Sequence, residues 1–248
     1  MSNLKLETQT ISKSFAGELI IKDISIQLFD HELVSLLGVS GIGKSTLFNV
    51  IAGVLAPETG RVFLNGEDIT GQAGRVSYMQ QKDLLQRHMT VLDNIALPLF
   101  IRGVPKRQAR DQALNHFKDF GLEGTATKYP TQLSGGMRQR AALLRTYLFS
   151  QDVALFDEPF SALDAITKSA MHHWYLALMD HIPMSTLFIT HDIDEAILLS
   201  DRVYIMTGPP GKIAHEIKID IPRPRGEEFL VSDAFIRYKR QIIKLLSL

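Results

Sequence analysis

The chain has 248 residues, 45% apolar and 22% charged, with 17 Gly and 10 Pro; this excludes disordered, collagenous and low-complexity classes and allows one large domain or two small ones. It contains no Cys, which excludes a disulfide scaffold, a thiolate metal site and a cysteine nucleophile, and suits a reducing compartment. Lys and Arg total 27 against 27 Asp and Glu, so no whole-chain field draws it to nucleic acid or an anionic membrane, and such a partner has to be met by a local surface.

The opening MSNLKLETQTISKSF alternates polar and apolar residues and lacks the continuous apolar run of a signal peptide, so secretion is not expected. Alternation predicts strands over Leu4–Thr10 and Ile20–Leu28, and the apolar run Leu33–Leu37 predicts a buried strand entering the glycines Gly38, Gly41 and Gly43. A helix is expected over Thr46–Ala52, then a strand over Arg61–Leu64 closed by the hairpin dipeptide Asn65-Gly66. From Thr90 to Tyr147 the spacing becomes helical, with helices predicted over Arg107–Phe120, stopped by Gly121, and over Gly136–Phe149. Strands over Val153–Phe156 and Thr186–Ile189 flank a helix over Leu163–Asp180, the rhythm of a parallel sheet. Pro209, Pro210, Pro222 and Pro224 punctuate the C-terminal part, and Phe235–Leu246 reads as a last amphipathic helix. The most apolar stretches, Asn49–Pro57 and Val91–Ile101, are broken well short of the ~20 residues of a spanning helix, so the chain is not expected to cross a membrane by itself. Without repeats or a linker, residues 1–248 read as a single domain with lobes.

Gly38-Val-Ser40-Gly41-Ile-Gly43-Lys44-Ser45 fits G-x-x-x-x-G-K-[ST] and sits between a buried strand and a helix, as its mechanism requires. The glycines let backbone N–H groups face phosphate oxygens, the helix start adds partial positive charge, Lys44 reaches the outer phosphates and Ser45 can ligate Mg²⁺. A plain glycine turn is the alternative, and the flanking elements weigh against it. Val153-Ala-Leu-Phe-Asp157-Glu158 ends an apolar strand on two acids, where a buried carboxylate is costly without a cation. Asp157 suits Mg²⁺ and Glu158 suits a general base for phosphoanhydride hydrolysis, although an acidic pair there also suits a helix cap.

Leu133-Ser134-Gly135-Gly136-Met137-Arg138-Gln139-Arg140 resembles the LSGGQ signature of ATP-binding-cassette (ABC) ATPases, with Met137 in the usual Gln place. Ser134 and the two glycines opening a helix also make an anion site in their own right. The likeness extends over essentially the whole chain. It implies an α/β fold: a RecA-like P-loop NTPase core with an N-terminal antiparallel β lobe and an inserted α-helical lobe over about 84–149. By this resemblance Thr46 joins the P-loop residues that bind ATP. Gln80 falls in the Q-loop, contacting Mg²⁺ and water; Gln81 competes for the role, and the spacing to Leu84-Leu85 favours Gln80. Ser161-Ala-Leu-Asp164 resembles the D-loop, His191 the switch histidine at the γ-phosphate, and Phe15 the aromatic that stacks on adenine, against the plainer reading of a core Phe. His172 and His173 are adjacent, face different ways on a helix and receive no chemistry. The basic stretch Arg237-Tyr-Lys-Arg240 reads as a solvated helix face. Two departures stand out: His31 occupies a place where Gly is common, and Gln86-Arg87 one where Pro-Trp is common.

Asp194-Glu-Ala-Ile-Leu-Leu-Ser-Asp201-Arg202-Val, Gly208-Pro-Pro-Gly211-Lys-Ile and Ile221-Pro-Arg-Pro-Arg225 resemble the nitrate/sulfonate/taurine branch of importer ATPases, which includes importers of thiamine-precursor pyrimidines. That likeness implies two copies of this subunit on the cytoplasmic face of the membrane beneath two permease subunits, served by a solute-binding protein. Each copy binds Mg²⁺ and ATP, with two ATP molecules sandwiched between the P-loop of one copy and Ser134–Gly136 of the other. Leu84–Gly103 is the expected permease-docking surface. A soluble ABC ATPase acting on nucleic acid or ribosomes is the alternative, disfavoured by the single cassette and the lack of a coiled-coil or basic insertion. A structural partner with a dead nucleotide site is disfavoured because Lys44, Asp157, Glu158 and His191 are all present.

Overall fold

The computed structural model describes residues 3–150, 152–182, 184–223 and 225–246. Pro224, one of the expected C-terminal punctuation points, lies outside the described residues, as do the first two residues of the opening segment. In chain order, β1 (Leu4–Phe15) and β2 (Glu18–Phe29) form a long hairpin, and β3 (Leu33–Leu37) leads through the glycine loop into α1 (Lys44–Ile51). Next come β4 (Thr59–Leu64), β5 (Glu67–Asp68) and β6 (Ser77–Met79), then α2 (Val91–Ile101), α3 (Lys106–Leu114) and α4 (Gly135–Phe149). β7 (Val153–Asp157), α5 (Ala165–Met179), β8 (Ser185–Thr190), α6 (Ile193–Leu199), β9 (Arg202–Thr207), β10 (Lys212–Lys218), α7 (Glu227–Leu230) and α8 (Asp233–Leu246) complete the chain.

The strands make two sheets, a four-stranded antiparallel one in the order β2-β1-β4-β5 and a six-stranded one in the order β10-β9-β3-β8-β7-β6. In the second, β9, β3, β8, β7 and β6 run parallel and only β10 is antiparallel to its neighbour. Every residue of β3, β7 and β8 is buried, the signature of parallel strands covered on both faces. Alternation along β7 divides the work: Ala154 and Phe156 join α2, α3, α4 and α5 in one apolar core, while Val153 and Leu155 join α1 and the antiparallel sheet in another. The helical lobe therefore has no core of its own and shares one with a face of the sheet.

The expected Asn65-Gly66 hairpin is present, with both residues at positive φ (51° and 80°) and Leu64 facing Glu67 across it. Four strands have no predicted counterpart: the two-residue β5 that completes this hairpin, the three-residue β6, and the pair β9 and β10. The helix expected over Arg107–Phe120 ends at Leu114. Beyond it the bonds tighten, with His116 N–H donating to Ala113 O, Phe117 N–H to Leu114 O and Gly121 N–H to Lys118 O; the tighter winding leaves Phe117 and Phe120 in the core. His31, where Gly is common, sits at φ 57°, the conformation that explains the preference.

Arg225, from the proline-flanked C-terminal segment, is 2% exposed and caps α6. Its guanidinium donates to the carbonyls of Ile197 (2.7 Å), Leu198 (3.2 Å) and Ser200 (2.7 Å), and to Ile221 O (2.7 Å), where the cation also meets the negative end of the helix. Burial lowers its pKa to about 10. Arg225→Met leaves these carbonyls without donors. Stability is expected to fall by about 3 kcal/mol, a drop in thermal midpoint of roughly 6–12 °C by differential scanning calorimetry. A midpoint unchanged within about 2 °C would refute the capping role.

Candidate nucleotide site

Parallel strands that start together end together, and here their carboxyl ends carry the chemistry. The register sets Leu37 of β3 opposite Thr190 of β8, Ile189 of β8 opposite Asp157 of β7, and Phe156 of β7 opposite Met79 of β6. The residues just past these ends, Gly38 to Ser45, Glu158, His191 and Gln80-Gln81, are thereby delivered to one edge of the sheet.

The loop after β3 needs its glycines. A Cβ on Gly38 would lie 2.7 Å from the carbonyl oxygen of Met206, and Gly43 combines φ 104° with a Cβ position 2.5 Å from Ile21 Cγ2. Lys44 is 5% exposed and folds its Nζ onto the carbonyls of Gly38 (2.7 Å) and Val39 (2.9 Å). Burial holds its pKa below the ordinary lysine value, against the opposing pull of Glu158 and Asp157. Ser40 and Gly41 are exposed on the loop, Ser45 is exposed beside the buried Lys44, and Thr46 is half-buried in the first turn of α1.

Asp157 ends β7 at 7% exposure, and burial raises its pKa although hydrogen bonding from Ser45 works the other way. The Tyr78 hydroxyl donates to Asp157 Oδ2 at 3.5 Å. Ser45 and Asp157 thus bring a hydroxyl and a carboxylate within hydrogen-bond reach of each other, an oxygen pair that fits Mg²⁺. Among the described residues no three His, Asp or Glu cluster into a self-sufficient metal site, which suits a cation that shares its ligands with phosphate oxygens.

Glu158 takes φ 46°, a left-handed conformation rare for a side-chain-bearing residue, with its N–H donating to Ile189 O at 3.0 Å. Its carboxylate is gripped from two sides, by His191 Nδ1 at 3.1 Å from Oε1 and by Gln81 Nε2 at 3.2 Å from Oε2. Gln80 is not part of this carboxylate-centred group. It lines a separate apolar cleft with Leu84, Leu97, Pro98 and Ile101, whereas Gln81 faces Glu158. Successive residues leaving β6 face opposite ways, and the alternation that decides between them is hidden in the sequence because the strand is so short.

Ser134 caps α4, accepting from the N–H of Met137 at 3.3 Å, and Gly135 and Gly136 form its first turn. Gly135 lines a surface cleft with Gln81, Glu158, Ser161, Leu163 and His191, while the glycine loop does not line it. Phe15 is 45% exposed at the end of β1, so it is not the core residue of the plainer reading. Asp164, expected among the nucleotide-binding residues, is spent as the cap of α5: Oδ1 accepts from Thr167 N–H (3.0 Å) and Oδ2 from Thr167 Oγ1 (2.7 Å). That carboxylate is committed to the helix cap.

Residues 21–161 match the family profile described as ABC transporter. The chain belongs to the ABC transporter family. This ABC chain is 44% identical over 191 residues to the formylaminopyrimidine import ATP-binding protein ThiZ of Halalkalibacterium halodurans, covering 77% of this chain and 74% of that protein. It is 38% identical over 244 residues to the aliphatic sulfonates import ATP-binding protein SsuB 1 of Xanthomonas axonopodis pv. citri, covering 97% and 95%. Its fold matches that of cbiO1 from Clostridium perfringens, described as part of the ABC transporter complex cbiONQ, with a TM-score of 0.80 at 22% identity over 99% of this chain and all of that one. As an ABC transporter ATP-binding subunit it binds nucleotide, and its ATPase activity is coupled to transport. Among the described residues no helix is long and apolar enough to cross a membrane.

Proposed function

We propose that this chain is the ATP-hydrolysing subunit of an importer for a small sulfonate, taurine, nitrate or pyrimidine-precursor solute. It acts as two copies on the cytoplasmic face of the membrane beneath permease subunits, served by a solute-binding protein and without a nucleic-acid partner. The observation that carries the catalytic part is the delivery of Lys44, Asp157, Glu158 and His191 to one sheet edge. Phe15 stacks on adenine, and the N–H groups of Gly41 to Thr46 surround the phosphates. Ser45 and Asp157 hold Mg²⁺, which supplies charge neutralisation on the phosphate oxygens. Lys44 exchanges its two carbonyl partners for phosphate oxygens. Glu158 orients water and accepts its proton, with Gln81 and His191 fixing the carboxylate. Ser134, Gly135 and Gly136 of the opposite copy present their helix start to the γ-phosphate.

The apolar cleft that Gln80 lines supports the permease contact. Val54 (62% exposed), Leu84 (47%) and Ile101 (77%) rim it, an unusual exposure of large apolar side chains, and Leu84, Leu97, Pro98 and Ile101 all fall within Leu84–Gly103. Arg145 fixes its edge by donating to the carbonyls of Leu84 (2.9 Å) and Asp83 (2.5 Å). A short permease helix fits such a groove. The absence of native Cys makes the test clean. In vesicles carrying the assembled complex, single cysteines at Val54 and Ile101 are expected to crosslink to permease cysteines, and one of the sulfonates, nitrate or pyrimidines is expected to stimulate ATP hydrolysis. Crosslinking only from cysteines elsewhere would relocate the dock, and stimulation by none of these solutes would remove the proposed solute class.

A further inference from the structure

Behind the His191 segment lies a buried polar network that the catalytic assignment does not use. Glu195 in the first turn of α6 is 4% exposed, and its Oε2 accepts the hydroxyl of Thr190 at 2.7 Å. Thr190 Oγ1 itself accepts from the N–H of Asp192 at 3.0 Å, so one hydroxyl holds the residues on either side of His191. Asp192 Oδ1 in turn accepts from the N–H groups of Asp194 and Glu195, at 2.9 and 3.2 Å.

Two side chains of α5 clasp this unit. Lys168 Nζ donates to Asp192 Oδ2 at 2.6 Å and lies 3.5 Å from Glu195 Oε2. One turn later, His172, 7% exposed, sets Nε2 3.3 Å from Glu195 Oε1. The His172 ring also meets Phe160 edge-on, with centroids 5.0 Å apart. Phe160 is fully buried and stands two residues beyond Glu158. His172 therefore touches both the turn that carries Glu158 and, through Glu195 and Thr190, the segment that carries His191. Neither His172 nor Lys168 lines the cleft where Glu158 and His191 emerge.

We propose that His172 and Lys168 are positioning residues for ATP hydrolysis, which set the direction of His191 toward Glu158 through Glu195, Thr190 and Asp192. Because α5 starts at the capping Asp164, the same clasp makes the His191 segment follow any displacement of Ser161–Asp164. A buried carboxylate that loses a donor is left at a cost, and here that cost falls on Glu195, whose other oxygen holds Thr190 and with it the Thr190–Asp192 segment. The proposal rests on the assignment of His191 to the hydrolytic site, and the test separates the two.

The test is a double-mutant cycle on ATP hydrolysis by the full-length chain, with His172→Ala in the wild-type and His191→Ala backgrounds. In the wild-type background kcat is expected to fall about tenfold with KM for ATP within about twofold, and His172→Gln, whose amide can donate to Glu195, restores it to within about threefold. In the His191→Ala background the same change is expected to cost less than about twofold. An equal tenfold loss in both backgrounds, or a change confined to KM, would overturn the proposal while leaving His191 in place. Wild-type turnover by His191→Ala would instead remove the His191 assignment, and the proposal with it. If His172→Ala fails to fold, Lys168→Met and its conservative partner Lys168→Arg run the same cycle through Asp192, with the same two outcomes.

Discussion

Replacing Glu158 with Gln is expected to leave ATP binding intact and to slow hydrolysis by about a hundredfold to ten-thousandfold, the range of a lost general base. The side chain keeps its volume, and the left-handed backbone at φ 46° is set by the chain around it, including the N–H bond to Ile189 O. What changes is basicity. The carboxylate now accepts from Gln81 Nε2 on one oxygen and approaches His191 Nδ1 with the other, so both of its oxygens face polar groups. An amide can accept on one atom only and cannot take a proton from water. ATP should therefore accumulate unhydrolysed in a closed pair of subunits. Equilibrium titration with a fluorescent ATP analogue and single-turnover hydrolysis read the two halves separately. Hydrolysis within a few-fold of wild type would mean that another group is the base.

Gly135→Asp is expected to slow hydrolysis by about a hundredfold while sparing both the fold and the binding of ATP by a single copy. The geometry makes this substitution informative. Gly135 is not in the left-handed region, and an added Cβ would come no closer than 3.4 Å to any neighbouring atom, Leu163 Cδ2, which is ordinary contact. An acid in the first turn of α4 is also favourable to the helix itself. The harm falls on an anion approaching that helix start from outside, because two negative charges in a water-poor interface repel strongly. The loss in kcat should reach about a hundredfold, comparable with removing one stabilising donor of a reacting oxyanion. Lys44→Ala is expected to act earlier, weakening ATP binding itself. Mixed, the two variants form heterodimers with one doubly damaged site and one intact site, and activity returns. A normal rate from Gly135→Asp alone, or failure of that variant to bind ATP as an isolated subunit, would show that the site is not shared between copies.

How legible these features are in the sequence depends on how local their causes are. The loop at Gly38–Ser45 and the acids at Asp157-Glu158 declare themselves because a buried strand must end somewhere and each sits at such an end. Ser134 declares itself as a helix start, whereas the capping role of Asp164 shows only in the folded chain, where both its oxygens are engaged by Thr167. Gln81 is hidden because the choice between it and Gln80 depends on the pleat of a three-residue strand. β9 and β10 are hidden for opposite reasons: β9 is an apolar run with a cationic start, and β10 is an edge strand with a mostly exposed pattern. Arg225 and His172 are hidden most deeply. Their partners lie between 4 and 28 residues away for Arg225 and 23 residues away for the His172–Glu195 contact, so no short window of sequence contains the reason for them. The prediction that His172 and His173 face different ways holds, with His173 Nδ1 meeting the Ser169 carbonyl of its own helix.

The folded-back Lys44 bears on how the protein distributes its free energy. An ammonium taken out of water loses hydration, and the carbonyls of Gly38 and Val39 return only part of it, as the depressed pKa records. That dehydration is incurred when the chain folds, before any ligand arrives. The subunit on its own is thus held below the stability its cores could give, and the nucleotide meets a cation already stripped of most of its water. Affinity gains what thermal resistance gives up, a trade between activity and stability confined to one side chain.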